Sequence, residues 1–312
     1  MELTTPAHRR LVDELLAWSD ERPVVDPDLR DHLRRMLDDG LAPVLATIPP
    51  GERVFLGKSS LAALVCDGRW IDQEESPFEW SPQLVGGKLA HRAIELDHAA
   101  RREVPAEEVV QRAWYEFVSD VGSLADFVNG LDRVGASAMR LTAEQRVTEF
   151  RDLWPLLPPS ATLRLEQRME ASFGEGAVIV RGTPDMTIGA VRDDRARMLL
   201  VDLKTGMRNP TRERQDLRLY ALLATLKFGQ APFRWATYYV SEGAWDIEDH
   251  APELLEAAAR RVVDGATRAA RLLFDRPAES ELRLVGGAWC RYCGRKSRCP
   301  AVAADPDDAD WP

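Results

Sequence analysis

The sequence predicts an α/β fold, and three observations predict it. Strand-like runs gather in the second half of the chain, at 162–173, 176–182, 185–190, 197–203 and 233–241. Helix-like runs bracket them, over 105–154 before, and over 212–228 and 252–274 after. Met198-Leu199-Leu200-Val201 is apolar on both faces, the mark of a central strand covered on both sides. With 312 residues, 45% of them hydrophobic and 29% charged, the chain can bury a substantial core.

Taken in order, 7–20 and 27–38 read as amphipathic helices, followed by a link through Pro43, Pro49 and Pro50. Residues 1–56 are thus expected as a helical N-terminal segment. The stretch GERVFLGKSSLAALVC then suggests a phosphate loop. Five residues separate Gly51 from Gly57 where that motif needs four, and no strand precedes Gly51, so an ATPase site is rejected. The plainer reading is a short strand ending at Gly57, with Ser59 or Ser60 capping a helix that carries Leu61, Leu64 and Val65 and ends near Cys66. Gly86-Gly87 opens a further helix on which His91 and Glu95 share a face, where Glu95 reads as a solvated side chain. Trp114, Phe117, Val118, Leu124 and Phe127 recur at helix spacing and read as core. Asn209-Pro210-Thr211 caps the helix over 212–228, where Arg208, Arg212, Arg214 and Arg218 cluster around Gln215 as candidates to track a phosphate backbone. Residues 301–312 form an acidic tail.

Bulk properties limit the function. The opening MELTTPAHRRLVDELL lacks the apolar stretch of a secretory signal, and no run is long enough for a bilayer. A cytoplasmic protein with reduced thiols and no membrane partner is expected. Net charge of −10 argues against nucleic-acid binding by overall field, while leaving room for a local basic groove.

The chemistry gathers between Arg181 and Tyr220. Strand alternation puts Asp202 and Lys204 on one face and Leu203 on the other. Seventeen residues upstream, Gly182-Thr183-Pro184-Asp185 presents a second acid on the neighbouring strand. Two carboxylates converging with a lysine make a hard-cation site with a charge stabiliser beside it. The plainer alternative is a salt bridge at a strand end. Only five of the 41 Lys plus Arg residues are Lys, so an ammonium at position 204 points to a site that needed a compact charge.

The ordered set GTPD, DLKTG and Q-x4-Y (Gln215, Tyr220) resembles the PD-(D/E)XK nuclease superfamily, in its RecB-type branch. The resemblance spans about Gly57 to Pro300. It implies a restriction-endonuclease-like core with a mixed β-sheet flanked by helices, a helical N-terminal part and a four-cysteine module. Asp185, Asp202, the carbonyl of Leu203 and His91 would bind Mg²⁺ or Mn²⁺. Lys204 would orient the attacking water, with Gln215 near DNA or that water and Tyr220 at least half structural. Glu166 or Glu170 could also reach the metal from the 162–173 strand. The implied reaction is phosphodiester hydrolysis by an exonuclease acting on DNA ends or single strands, in repair, recombination or defence, with a helicase as a candidate partner. The competing readings are a non-catalytic DNA-end-binding or scaffolding subunit and an RNA-directed nuclease.

All four cysteines fall into one pattern, Cys66 and then Cys290-x2-Cys293-x5-Cys299-Pro300. Such a set can hold zinc or a [4Fe–4S] cluster, or stay unligated. The pattern resembles the cluster ligands of AddB-type and CRISPR-associated RecB-like nucleases, which favours the cluster over Zn²⁺. Either centre would close a loop of over two hundred residues and staple the chain's two ends around the core.

Overall fold

The computed structural model describes residues 5–18, 20–191, 194–206 and 208–303, so all but 301–303 of the acidic tail expected at 301–312 lies outside the described residues. The chain begins with α1 (Pro6–Arg10), capped by the Thr5 hydroxyl and continuing as a wider π turn to Leu16. In α2 (Leu29–Leu45), Leu29, Leu33, Leu37, Leu41 and Val44 recur at helical spacing and form one buried stripe. Pro43 lies inside the last turn of α2, so the expected proline link starts only after Leu45.

Next come β1 (Val54–Leu56), α3 (Lys58–Ala63) and α4 (Asp67–Glu75). The α3 cap is Gly57 in place of a serine, and the Ser60 hydroxyl accepts the Gly57 N–H at 2.8 Å. A helical block follows: α5 (Pro82–Ala99), α6 (Ala106–Ser119), α7 (Ser123–Asn129) and α8 (Arg133–Leu153), in which α5 packs against α6 and α8. The second half is strand-rich: β2 (Leu163–Leu165), β3 (Met169–Phe173), β4 (Val178–Gly182), β5 (Met186–Ile188) and β6 (Leu199–Lys204). After α9 (Pro210–Phe228) the hairpin β7 (Arg234–Tyr239) and β8 (Ala244–Asp249) leads into α10 (Pro252–Ala270).

Where one sheet was expected there are two, both mixed. The larger runs β2-β5-β6-β7-β8, with β6 central and parallel to β7. The smaller runs β1-β4-β3, with β1 parallel to β4. The expected strand over 162–173 divides between them because Glu166 adopts a left-handed φ of 46°, which ends one strand and redirects the next. Strand β8 escaped the sequence reading, since AWDIED is half polar and lies on a sheet edge.

Helix α9 packs on strands of both sheets and ties them together. Its Tyr220 ring lies so close to β4 that a Cβ on Gly182 would sit 2.6 Å from it, which is why that strand ends in glycine. One apolar cluster runs from Leu33 through Val54, Leu89, Phe150 and Val201 to Val262, joining the helical block to both sheets. Among the described residues no helix is long and apolar enough to cross a membrane.

Candidate active site

The ends of β5 and β6 bring the acids together. Asp185 immediately precedes β5, and its Oδ2 accepts the Leu203 N–H at 2.5 Å, locking the loop to the central strand. Its Oδ1 lies 3.3 Å from Nδ1 of His91 on α5. Glu166 joins them, with its own N–H donated to the Asp185 carbonyl at 3.0 Å. His91, Glu166 and Asp185 offer ligand atoms that all lie within 4.8 Å of one another, a spacing that one divalent ion can span. Glu166 takes its place in this trio from the left-handed turn between β2 and β3.

Electrostatics within the trio are tightly linked. Burial pulls the His91 imidazolium down, but the Asp185 carboxylate outweighs it and holds the proton above the ordinary histidine range. Burial favours a protonated Asp185, yet His91, Lys204 and the Leu203 N–H together keep it ionised and below its ordinary value. Glu166 has burial and the charges of Asp185 and Glu95 against it, and is pushed up to about 8.

Asp202 sits beside this trio and is 1% exposed. The Lys204 ammonium contacts its Oδ2, as the shared strand face predicted. A second ammonium, Lys58 at the start of α3, lies 3.6 Å from Oδ1. That oxygen has no hydrogen-bond partner, an unusual state for a buried carboxylate. Burial weakens the Lys58 ammonium, but Asp202, Asp185 and Asp216 raise its proton affinity above the ordinary value. Asp216 on α9 is also buried, and that burial raises its pKa.

The structure therefore gathers His91, Asp185, Asp202, Leu203 and Lys204. Tyr220 borders them through Lys58, whose Nζ lies 5.5 Å from its ring, and is itself buried in the core. Gln215 is exposed and faces a groove on the other side of Arg212. Glu170 points elsewhere, paired with Arg168 at 2.8 Å. The sequence reading missed Lys58, and it named Glu166 only as an alternative to Glu170. The scarcity of lysine that drew attention to position 204 applies equally to position 58 and would have found it.

The arginines on and just before α9 need a correction. Arg208, Arg214 and Arg218 do not offer their charge to a phosphate backbone, because each is gripped by an acid from β8 or the turn before it. Arg214 bonds both oxygens of Asp246 at 2.6 Å, Arg218 pairs with Glu248, and Arg208 pairs with Glu242.

All four cysteines line one small cavity between α4 and the C-terminal segment. The Val285 N–H donates to the Cys66 sulfur at 3.4 Å. Burial pushes the Cys293 thiol up. Acids of α4 hold the same segment: Asp67 accepts the Arg283 N–H at 2.8 Å and Asp72 the Gly294 N–H at 3.0 Å.

Comparison with curated proteins finds no match. The solved structure described as "Crystal structure of SSO0001" is similar over 78% of this chain and 94% of that one, at 13% identity and a TM-score of 0.27. The family model of the PD-(D/E)XK nuclease superfamily matches residues 64–300, the stretch that contains both acids, Lys204 and all four cysteines. Those members are generally metal-dependent nucleases, and with most of its length matched this chain belongs to the PD-(D/E)XK nuclease superfamily.

Proposed function

We propose that the protein is a Mg²⁺- or Mn²⁺-dependent deoxyribonuclease that hydrolyses phosphodiester bonds at DNA ends or in single strands. The observation that carries this reading is the trio His91, Glu166 and Asp185 beside Asp202, whose orphaned Oδ1 is buried next to two ammoniums. Carboxylates with one imidazole suit a hard or borderline divalent ion such as Mg²⁺ or Mn²⁺. Asp185, Asp202, His91, the Leu203 carbonyl and Glu166 would hold it. Such an ion supplies Lewis acidity at the phosphate and acidifies water for attack.

The chain's own groups do the remaining work. Lys204, held by Asp202, orients the attacking water and offers positive charge to the phosphate as negative charge builds. The Leu203 N–H fixes the Asp185 carboxylate through Oδ2, leaving Oδ1 beside His91 at the site. Tyr220 supports Lys58 from below, and Gln215 meets the strand outside the acid cluster. Residues 57–300 act as the catalytic unit, with 1–56 as an appended helical segment. The cysteines hold a [4Fe–4S] cluster in preference to zinc, a reading supported by the resemblance of Cys66 and the C-x2-C-x5-C-P run to cluster ligands. The setting is cytoplasmic DNA repair, recombination or defence, beside a helicase.

The test is cleavage of matched, end-labelled DNA and RNA strands with Mg²⁺ or Mn²⁺. Wild type should cleave DNA only with metal. Asp185→Asn and Lys204→Ala should each lower the rate at least ~10²-fold, the scale of losing one transition-state charge group. Protein with its cysteine centre filled that binds DNA ends and cleaves neither strand would instead be a non-catalytic end-binding subunit. A brown anaerobic preparation absorbing near ~400 nm supports the cluster, whereas a colourless one with stoichiometric zinc excludes it.

A further inference from the structure

A groove of about 1000 Å³ opens between α3–α4, α9, α10 and the 283–292 segment. Six arginines line it against a single carboxylate residue, Asp264, in a chain whose net charge is −10. They come from separate segments: Arg69 from α4, Arg212 from α9, Arg261 from α10 and Arg283 from the C-terminal stretch. Arg268 is committed to Asp67, but Arg212 and Arg283 are exposed. Asp216, at 4.0 Å from Arg212, is the nearby acid; burial still outweighs it and lowers the proton affinity of Arg261, as burial and the like charge of Arg212 do for Arg69. Planar guanidinium forks match phosphate oxygens two at a time.

Aromatic side chains stand among these charges. Tyr292 is 80% exposed, unusual for a large aromatic residue without a partner surface. Trp289 lines the same groove, with Arg69 lying 5.4 Å from its ring centre. Flat aromatic faces between phosphate-binding forks recognise bases only when those bases are unpaired. The groove also reaches the catalytic side. Its lining includes Leu61, one turn along α3 from Lys58, and Gln215.

We propose that this groove binds a single strand of nucleic acid, phosphates on Arg212, Arg261 and Arg283 and bases stacked on Tyr292 and Trp289. The proposal rests on the nuclease reading for its direction, since the strand would be led toward Lys58 and Asp202. The C-terminal cysteine segment then forms one wall of the strand path as well as a staple, because Trp289 borders both the groove and the cysteine cavity.

The test is fluorescence anisotropy at low salt, with EDTA present, on labelled oligo(dT), oligo(rU) and a blunt duplex. Tyr292→Ala and Arg283→Glu alter exposed side chains, so folding is preserved and checked by melting. Each should weaken binding of the single strand by roughly 5- to 100-fold, the range for losing one stacked base or phosphate contact. Arg214→Ala, on the acid-paired face of α9, should bind as wild type. Preference for DNA or RNA among single strands identifies which one the groove receives. Wild type that binds no single strand, binds duplex as tightly, or tolerates both groove variants would overturn the proposal. Wild type that binds through the groove but never cleaves with Mg²⁺ or Mn²⁺ would leave the groove standing and remove the nuclease reading.

Discussion

Helix α9 carries arginines on two faces, and the two faces meet opposite fates. On one, Arg214 and Arg218 are gripped by Asp246 and Glu248, as Arg208 just ahead of the helix is by Glu242. On the other, Arg212 and Gln215 look into a groove that α10 and the C-terminal segment fill with more arginine. The β7–β8 hairpin is the cause. Strand alternation aims Asp246 and Glu248 to the same side of edge strand β8, at the two-residue step that meets successive turns of the helix. The same residue type serves as sheet–helix glue on one side and lines an open groove on the other, where Arg212 has only a 4.0 Å contact with Asp216, and the partner strand decides which.

The largest effect should come from making the open face resemble the closed one. Arg261→Glu with Arg283→Glu should lower single-strand affinity about 100-fold or more at low salt, and reduce the slope of log affinity against log salt by about 1.4, the value for two lost phosphate contacts. Salt-titrated anisotropy reads both quantities. The reverse conversion is next. Glu242→Gln, Asp246→Asn and Glu248→Gln together release three arginines and should raise strand affinity roughly tenfold while steepening the salt slope. That variant should also be less stable, with Glu248 alone accounting for about 1–3 kcal/mol, because it accepts bonds from Arg218 and from Trp235 Nε1 at 2.9 Å.

Acid offers a gentler way to open the closed face. Burial favours a protonated Glu248, but the bonds from Arg218 and Trp235 win and hold its pKa below the ordinary value. A carboxylate depressed in the folded state adds stability above its unfolded pKa and loses it as pH falls through the folded one. Wild type should therefore lose more stability on acidification than Glu248→Gln, as measured by denaturant melts at stepped pH. The smallest effect belongs to Arg214→Ala. Its pair with Asp246 is solvent-facing, so stability should change by ~0.5 kcal/mol or less and strand binding not at all.

In the metal trio the carboxyl is shifted the other way, with the same consequence that acid weakens its function. Glu166 titrates at about 8 because burial, Asp185 and Glu95 all disfavour its charge. Below that value it holds a proton that must leave before it can ligate a cation. Mn²⁺ affinity measured by calorimetry should rise with pH up to about 8, with proton release into the buffer, and Glu166→Gln should flatten that rise.

The α/β class, the central β6 strand and the shared face of Asp202 and Lys204 were legible because each follows from residue spacing alone. The two-sheet division was not, because it turns on a left-handed backbone at Glu166, a conformation that Leu-Glu-Gln does not announce. Lys58 lies 144 positions before its partner Asp202 on β6, and the packing of α3 on α9, which itself lies on β6, helps bring them together. The closed arginine face was illegible for a related reason: β8 was not recognised as a strand, so its acids had no assigned direction. Local pattern gave the ladder of elements, while charges that pair across the fold needed the fold itself.

The central claim is that acids from adjoining strands and a helix histidine hold one divalent ion. Anomalous diffraction from crystals soaked in Mn²⁺ tests it most directly. The account predicts one strong peak about 2.1–2.4 Å from Asp185 Oδ1, in contact with Asp202 or Glu166 and lost in Asp185→Asn crystals. A saturating soak that leaves Asp185 and Asp202 without a peak between them, their lysine and histidine contacts unchanged, would contradict it.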